Sequence, residues 1–326
     1  MTGGLAAKRV LALLLAVLVA LPSALAAHYY TGVREAEATI EALRAENAML
    51  ADEVESLRPV AEDPVPEKQP SPEARSAPDV LRETKVIKHA LGTVKGITML
   101  NSLESFLASY EAGARVFEAD FRLTSDDQVV LRHDWRANWQ RGISETSIPT
   151  LEEFRKRPIL HRYTPLSFRD LLLLLEQYPD VCIITDTKYI EAESVTKEFE
   201  AMVADAHALG LTCLFDQMII QVYNQLMFKV VDNIYPFPHY IYTLYMDGFE
   251  PNEEDFRQRA EFCRENGILG LTMWHYWWRE AFAPLAEEYG LMVFVHTVND
   301  ADYAQRILDS GVDAVYTDKL LPDMLT

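Results

Sequence analysis

Glu118 and Asp120 stand one residue apart in the apolar run VFEAD. In a strand, alternation sends both carboxylates to the same face. Two like charges that close together on a largely buried element need a cation or a proton between them. His89 closes the earlier run KVIKH and His133 closes VVLRH, where Val129, Leu131 and His133 share a face by alternation. Asp186 and Lys188 in CIITDTK again share a face. Glu118, Asp120 and Asp186 form an all-oxygen set that suits a hard divalent cation, Mg2+ or Ca2+, better than zinc. Two imidazoles beside it can act as general acid and base. Lys188 can meet an anionic substrate oxygen or pair with one of the acids. Any one of these residues alone would read as structural; their coincidence points to chemistry on an anionic substrate.

The elements that must position them alternate between strand and helix. Strands are expected at 86–89, 116–120, 181–186, 213–217, 240–245, 269–273, 291–295 and 314–317, mostly as continuous apolar runs suited to parallel strands covered on both faces. Helices are expected at 102–112, 167–177, 192–208, 252–265 and 302–310. Such units fit a (β/α)8 TIM barrel, with an open doubly wound sheet as the alternative. The fifth unit, NIYPFPHYIYTLY, carries two prolines that blur its boundary, and VVLRHD then reads as an extra strand in the second loop.

Barrel chemistry gathers where strands end. His89, Glu118 with Asp120, Asp186 and Gln217 end the first four expected strands. The five tryptophans, Trp135, Trp139, Trp274, Trp277 and Trp278, all follow strand ends, which suggests an apolar wall. Trp135, Gln217, Trp274 and His296 are therefore expected to bind substrate, with His275 as a secondary candidate.

The chain has 326 residues, 49% hydrophobic and 25% charged, with a net charge of -20. No basic stripe is present to collect phosphates, which argues against a nucleic-acid partner. Cys182, Cys213 and Cys263 form no ligand or redox motif, and the first two, lying in apolar runs, are expected to be buried thiols.

Residues 1–28 read as a signal-anchor or a signal peptide: Lys8 and Arg9 precede VLALLLAVLVALPSALAA, an uncharged stretch of 18 residues. Residues 29–58 read as a coiled-coil stalk, with Val33, Ile40, Asn47 and Val54 at a and Ala36, Leu43, Leu50 and Leu57 at d. This pattern predicts a parallel homodimer through residues 33–57. Residues 59–79 are a Pro/Glu-rich linker, and 80–326 form the barrel. The basic N-terminus places that domain outside the cytoplasm on the cell membrane, or secreted if the segment is cleaved.

The stretch from His89 to Trp135, Asp186 with Lys188, HTVND at 296–300 and GVDAVYTDK at 311–319 together resemble glycerophosphodiester phosphodiesterases. That family shares its barrel with phosphatidylinositol-specific phospholipase C. The resemblance implies His89 and His133 as the acid/base pair. It implies Glu118, Asp120 and Asp186 as metal ligands, Lys188 as the family lysine, and a cyclic phosphate intermediate opened by water. The chain departs from the pattern in three places. Ala90-Leu91-Gly92 stands where the family has Arg-Gly after its histidine, Leu100-Asn101-Ser102 replaces Glu-Asn-Thr, and His296 replaces a Trp. The resemblance implies a small-molecule or lipid-headgroup phosphodiester as substrate. A phospholipase or sphingomyelinase D-like activity, or a non-catalytic headgroup-binding module on a stalk, are the alternatives.

Overall fold

The structure, a computed structural model, describes residues 75–136 and 139–326. The expected membrane segment and coiled coil, and most of the linker, lie outside the described residues. Among the described residues no helix is long and apolar enough to cross a membrane.

Alternation in the strands builds a closed barrel. β1 (Val86–Lys88), β2 (Val116–Leu123), β4 (Cys182–Thr187), β5 (Met218–Val222), β6 (Tyr240–Thr243), β7 (Gly270–Trp274), β8 (Met292–His296) and β9 (Ala314–Thr317) are parallel, each hydrogen-bonded to the next. β1 pairs with β9 on one side and β2 on the other, which closes the circle. The open-sheet alternative is thereby excluded. β3 (Val129–Leu131) lies antiparallel on β2 outside the barrel, the extra-strand reading of VVLRHD.

One residue set fills the barrel and the other faces the helices. Ile87, Val116, Ile184, Ile219, Ile241, Phe294 and Ala314 pack together inside. α1 (Ala77–Glu83) adds Ala77, Val80 and Leu81 to this cluster and plugs the end where the strands begin. The alternate residues, including Phe117, Phe121, Ile183 and Val293, pack in a larger outer core with the helices. That layer contains α2 (Leu103–Glu111), α4 (Phe168–Gln177), α5 (Ala192–Leu209), α6 (Gln225–Ile234), α7 (Glu253–Glu265), α8 (Ala283–Tyr289) and α9 (Ala301–Asp309); a short α3 (Leu151–Arg155) lies in the loop after β3. The inward set of β2 is thus Val116, Glu118, Asp120 and Arg122, stepping from the sealed end to the open mouth.

The fourth expected strand is displaced. Residues Thr212–Gln217 wind into a 3-10 helix and the strand begins at Met218. α5 ends at Gly210, whose φ of +70° reverses the chain, and the connection returns to the barrel floor with Leu214 and Phe215 buried in the outer core. Cys213 is consequently exposed, contrary to the expected buried thiol, while Cys182 and Cys263 are buried.

Candidate active site

Three carboxylates meet inside the mouth of the barrel. One oxygen from each of Glu118, Asp120 and Asp186 lies within 4.8 Å of the others. The β2–β4 register sets this meeting, because Asp120 pairs directly with Asp186. Glu118 Oε2 accepts the backbone N–H of Ala90 at 2.6 Å, while Oε1 is buried with no hydrogen-bond partner. Asn101 brackets Asp120, its Nδ2 donating to Oδ2 at 2.6 Å and its Oδ1 accepting the Asp120 N–H at 3.1 Å.

Unusual backbone serves these contacts. Ala90, Leu91 and Gly92 follow one another at φ of +48°, +59° and +94°, and Asn101 sits at +48°. Left-handed conformations at non-glycine residues are uncommon and cost energy, so surrounding contacts must hold them. A side chain at Gly92 would place its Cβ 2.0 Å from Ser109 Oγ, so only glycine fits.

Lys188 ties two of the acids together, with Nζ 2.5 Å from Asp120 Oδ1 and in contact with Asp186 Oδ2. Asp186 also accepts from Gln221 Nε2 at 2.7 Å and from the Tyr223 hydroxyl. Burial opposes charge on Lys188, but Asp120 and Asp186 raise its pKa well above the ordinary lysine value. Burial also opposes charge on Asp120, yet Lys188 and the two histidines bring it down to about 2. Burial and the neighbouring Asp120 push Glu118 the other way, well above the carboxylate range.

Each of the two expected histidines has a carboxylate on Nδ1. His89 Nδ1 lies 2.9 Å from Asp318 Oδ1, and its Nε2 is 3.9 Å from Glu118. Burial alone would lower its pKa, but Glu118, Asp318 and Asp120 raise it to about 9. His133 Nδ1 lies 2.7 Å from Asp134 Oδ2. It comes from beyond β3 rather than from a barrel strand: Arg132 N–H donates to the Asp120 carbonyl at 2.9 Å, and Arg122 Nε to the His133 carbonyl at 3.1 Å.

These groups open into one cavity of about 360 Å³, lined by His89, Glu118, Arg122, His133, Asp186, Lys188, Gln221 and Tyr223 on its polar sides. Trp274, His296, Tyr245 and Tyr316 line it as well. Trp274 and His296 rings stand 4.4 Å apart between centroids, with Tyr245 5.1 Å from His296. His296 Nε2 is buried without a partner, and burial lowers its pKa to about 3, so the ring is neutral.

Two expected substrate residues lie elsewhere. Gln217 precedes β5 instead of ending it, and its amide sits 3.2 Å from the carbonyls of Tyr178 and Val181. Trp135 packs on Phe154 with Val130 and Ile143 in a separate small core. The wall of five indoles is likewise not formed around this cavity. Trp277 rests on Phe249, Trp278 donates to Ser310 Oγ at 2.8 Å, and Trp139 joins a cluster with Val94 and Tyr163. Gln221, Tyr223, Tyr245 and Asp318 escaped the sequence reading. For the first two the missed signal was continued alternation past Ile219, since Gln221 and Tyr223 share its inward face.

The residues present fit a hard divalent cation. Their donors are all carboxylate oxygens, and the orphaned Glu118 Oε1 is a buried acceptor suited to a ligand. Lys188 already covers part of the charge of the other two acids, so a cation would share them with an ammonium.

The model of the glycerophosphoryl diester phosphodiesterase family matches residues 95–321. A Silicibacter pomeroyi structure bearing that family's name is similar at 17% identity and a TM-score of 0.63, over 77% of this chain and 96% of that one. An Oleispira antarctica phosphodiesterase in complex with the product sn-glycerol-3-phosphate is 16% identical with a TM-score of 0.58, over 72% and 92% of the two chains. A glycerophosphodiester phosphodiesterase from Agrobacterium tumefaciens gives 17% and 0.56, over 74% and 98%. At such identities the structural likeness bears on fold alone. No curated protein matches by sequence.

Proposed function

Since the chain belongs to the glycerophosphoryl diester phosphodiesterase family and is a phosphodiester hydrolase, we propose that it cleaves a glycerophosphodiester or related headgroup ester, with His89 and His133 as acid and base. The observation that carries this reading is the pair of imidazoles, each oriented by a carboxylate on Nδ1, facing one cavity lined by Glu118 and Asp186, with Asp120 clustered behind them. A carboxylate on Nδ1 fixes the tautomer and leaves Nε2 for proton transfer.

One imidazole takes the proton of the substrate hydroxyl vicinal to the ester oxygen as that hydroxyl's oxygen bonds to phosphorus, and the other gives a proton to the alcohol oxygen whose bond to phosphorus breaks. Ring closure yields a cyclic phosphate, which water opens with the two roles exchanged. Glu118, Asp120 and Asp186 would hold Mg2+ or Ca2+, which supplies Lewis-acid stabilisation of phosphoryl charge when bound. Lys188 holds Asp120 below the ordinary carboxylate range and ties Asp186 to it. The sn-glycerol-3-phosphate carried by the Oleispira relative supports a glycerol-phosphate product here.

A lipid substrate, cleaved in a phospholipase or sphingomyelinase D-like reaction, is the second reading, favoured by the mouth of the cavity. Ile190 and Met246 line it and are 47% and 46% exposed, an apolar rim suited to a lipid chain. Membrane attachment through residues 1–28 and pairing through 33–57 would set that rim near a bilayer. Comparing the solution mass of proteins beginning at Thr31 and at Arg75 tests the stalk; equal monomeric masses at all concentrations would reject it. Turnover of soluble glycerophosphodiesters, choline lipids and inositol lipids, with and without divalent ions, separates the substrate readings. A protein inert on all of them but able to bind a headgroup would be a binding module.

A further inference from the structure

A phosphodiester anion entering this cavity meets Glu118 and Asp186 on its wall, so its binding depends on positive charge that is not already neutralised. Lys188 is held by Asp120 and Asp186, His89 by Asp318 and Glu118, and His133 by Asp134. Burial keeps His296 neutral. Arg122 differs from all of these. Among the described residues its hydrogen bonds go to main-chain carbonyls, from Nε to His133 at 3.1 Å and from Nη1 to Lys188 at 3.4 Å. The Tyr189 ring lies 5.2 Å from its guanidinium carbon. Carbonyls and a ring face orient a guanidinium without cancelling its charge. Arg122 also acts electrostatically on the buried Glu198, but that carboxyl is bonded to the Thr187 hydroxyl and burial pushes it up to about 7, and among the described residues the two form no ion pair. The side chain lines the cavity, on the inward face of β2 one step nearer the mouth than Asp120.

We propose that Arg122 is the residue that binds the phosphodiester anion, its guanidinium receiving two phosphate oxygens while the two carbonyls hold it in register. A guanidinium offers five donors in a planar fork, and the carbonyl contacts leave the Nη2 group and one Nη1 hydrogen to donate to two oxygens of one phosphate. The contacts on His133 and Lys188 also place that phosphate between an acid/base imidazole and the three-acid cluster. The inference rests on the phosphodiesterase reading but names a different determinant from its histidines.

The test uses the full-length protein with Mg2+ present, its Arg122→Gln and Arg122→Lys variants, and sn-glycerol 3-phosphate as the binding probe in calorimetry. Arg122→Gln is expected to raise the probe's Kd and the KM for glycerophosphocholine at least about 10-fold, with Arg122→Lys between it and the parent because a single ammonium cannot fork. If Arg122→Gln fails to fold, Arg122→Lys decides by the same comparison. The same loss of binding is expected when Arg122→Gln is introduced beside His133→Asn, since an effect exerted only by positioning the His133 imidazole would vanish there. Unchanged Kd in a folded Arg122 variant, disappearance of the effect in the His133→Asn background, or no binding of the probe by the parent would each overturn the proposal. Failure of the parent to hydrolyse any glycerophosphodiester would instead count against the phosphodiesterase reading, with the binding series still deciding the role of Arg122.

Discussion

Asp318 Oδ1 lies 2.9 Å from His89 Nδ1, joining the end of the last barrel strand to the end of the first. Asn299 Nδ2 holds the other Asp318 oxygen at 2.8 Å, and Asn299 Oδ1 accepts the Asp318 N–H at 2.8 Å. The contact exists because β1 and β9 pair, Lys88 opposite Thr317, and so the closure of the barrel orients the histidine. Asp318→Asn should keep the fold but allow the wrong tautomer, lowering kcat by roughly 10²-fold, since orienting carboxylates of this kind are worth up to about 10⁴. Turnover measured beside an unchanged melting temperature checks this; kcat within a factor of two would remove Asp318 from the machinery.

Replacing His89 or His133 by Asn should leave the barrel intact and lower turnover roughly 10²- to 10⁴-fold. A substrate with an activated phenolic leaving group should partly restore only the variant that has lost the acid, because such an oxygen needs little protonation. Rescue of one variant thereby assigns the roles. Near-normal turnover by both folded variants on both substrates would refute the two-histidine mechanism.

In metal-stripped protein the stability should fall as the pH rises past neutrality. The His89 pKa, at about 9, stands above its ordinary 6.5, because Glu118 and Asp318 outweigh burial. The folded chain therefore binds that proton more tightly than the unfolded chain, and the contribution is fully present below about 6.5 and lost as pH rises through about 9. Denaturant unfolding across that window should show a steeper decline for the parent than for His89→Asn. Parallel curves would show that the imidazole is not held charged by its acidic neighbours.

Mg2+ or Ca2+ should raise the melting temperature of stripped protein, because a cation that binds only the folded state stabilises it, by about 2.7 kcal/mol at 100 times its Kd. Glu118→Gln should abolish most of that gain. Thermal unfolding during titration of either ion reads it directly, and no shift with either would eliminate the metal site.

Lys188→Met should destabilise the stripped protein by roughly 3 kcal/mol, the usual scale for removing one partner of a buried ion pair. Divalent ion should recover part of the loss, since a cation can replace the ammonium between Asp120 and Asp186. Equal losses with and without ion would show that the two do not share a site.

What the chain decides locally, its sequence reveals. Period-two alternation places Glu118 and Asp120 on one face of β2, and Asp186 and Lys188 on one face through the end of β4, because successive side chains in a strand point oppositely whatever surrounds them. The run of apolar strands and helices likewise implies a parallel α/β fold, since such folds bury both faces of their strands, while the choice of barrel over open sheet is made by the pairing of β1 with β9. Other features depend on partners distant in the chain. Asp318 reaches His89 only through closure of the barrel, and Gln221 and Tyr223 reach Asp186 only because β5 begins at Met218, later than its apolar run suggests. That late start moves Gln217 to the barrel floor, and the turns after β3 bury Trp135 against Phe154. An apolar run does not say where helical turn gives way to strand, and a tryptophan after a strand does not say which cavity it faces. Tertiary packing decides both, because the space each side chain fills is made by elements far away in sequence.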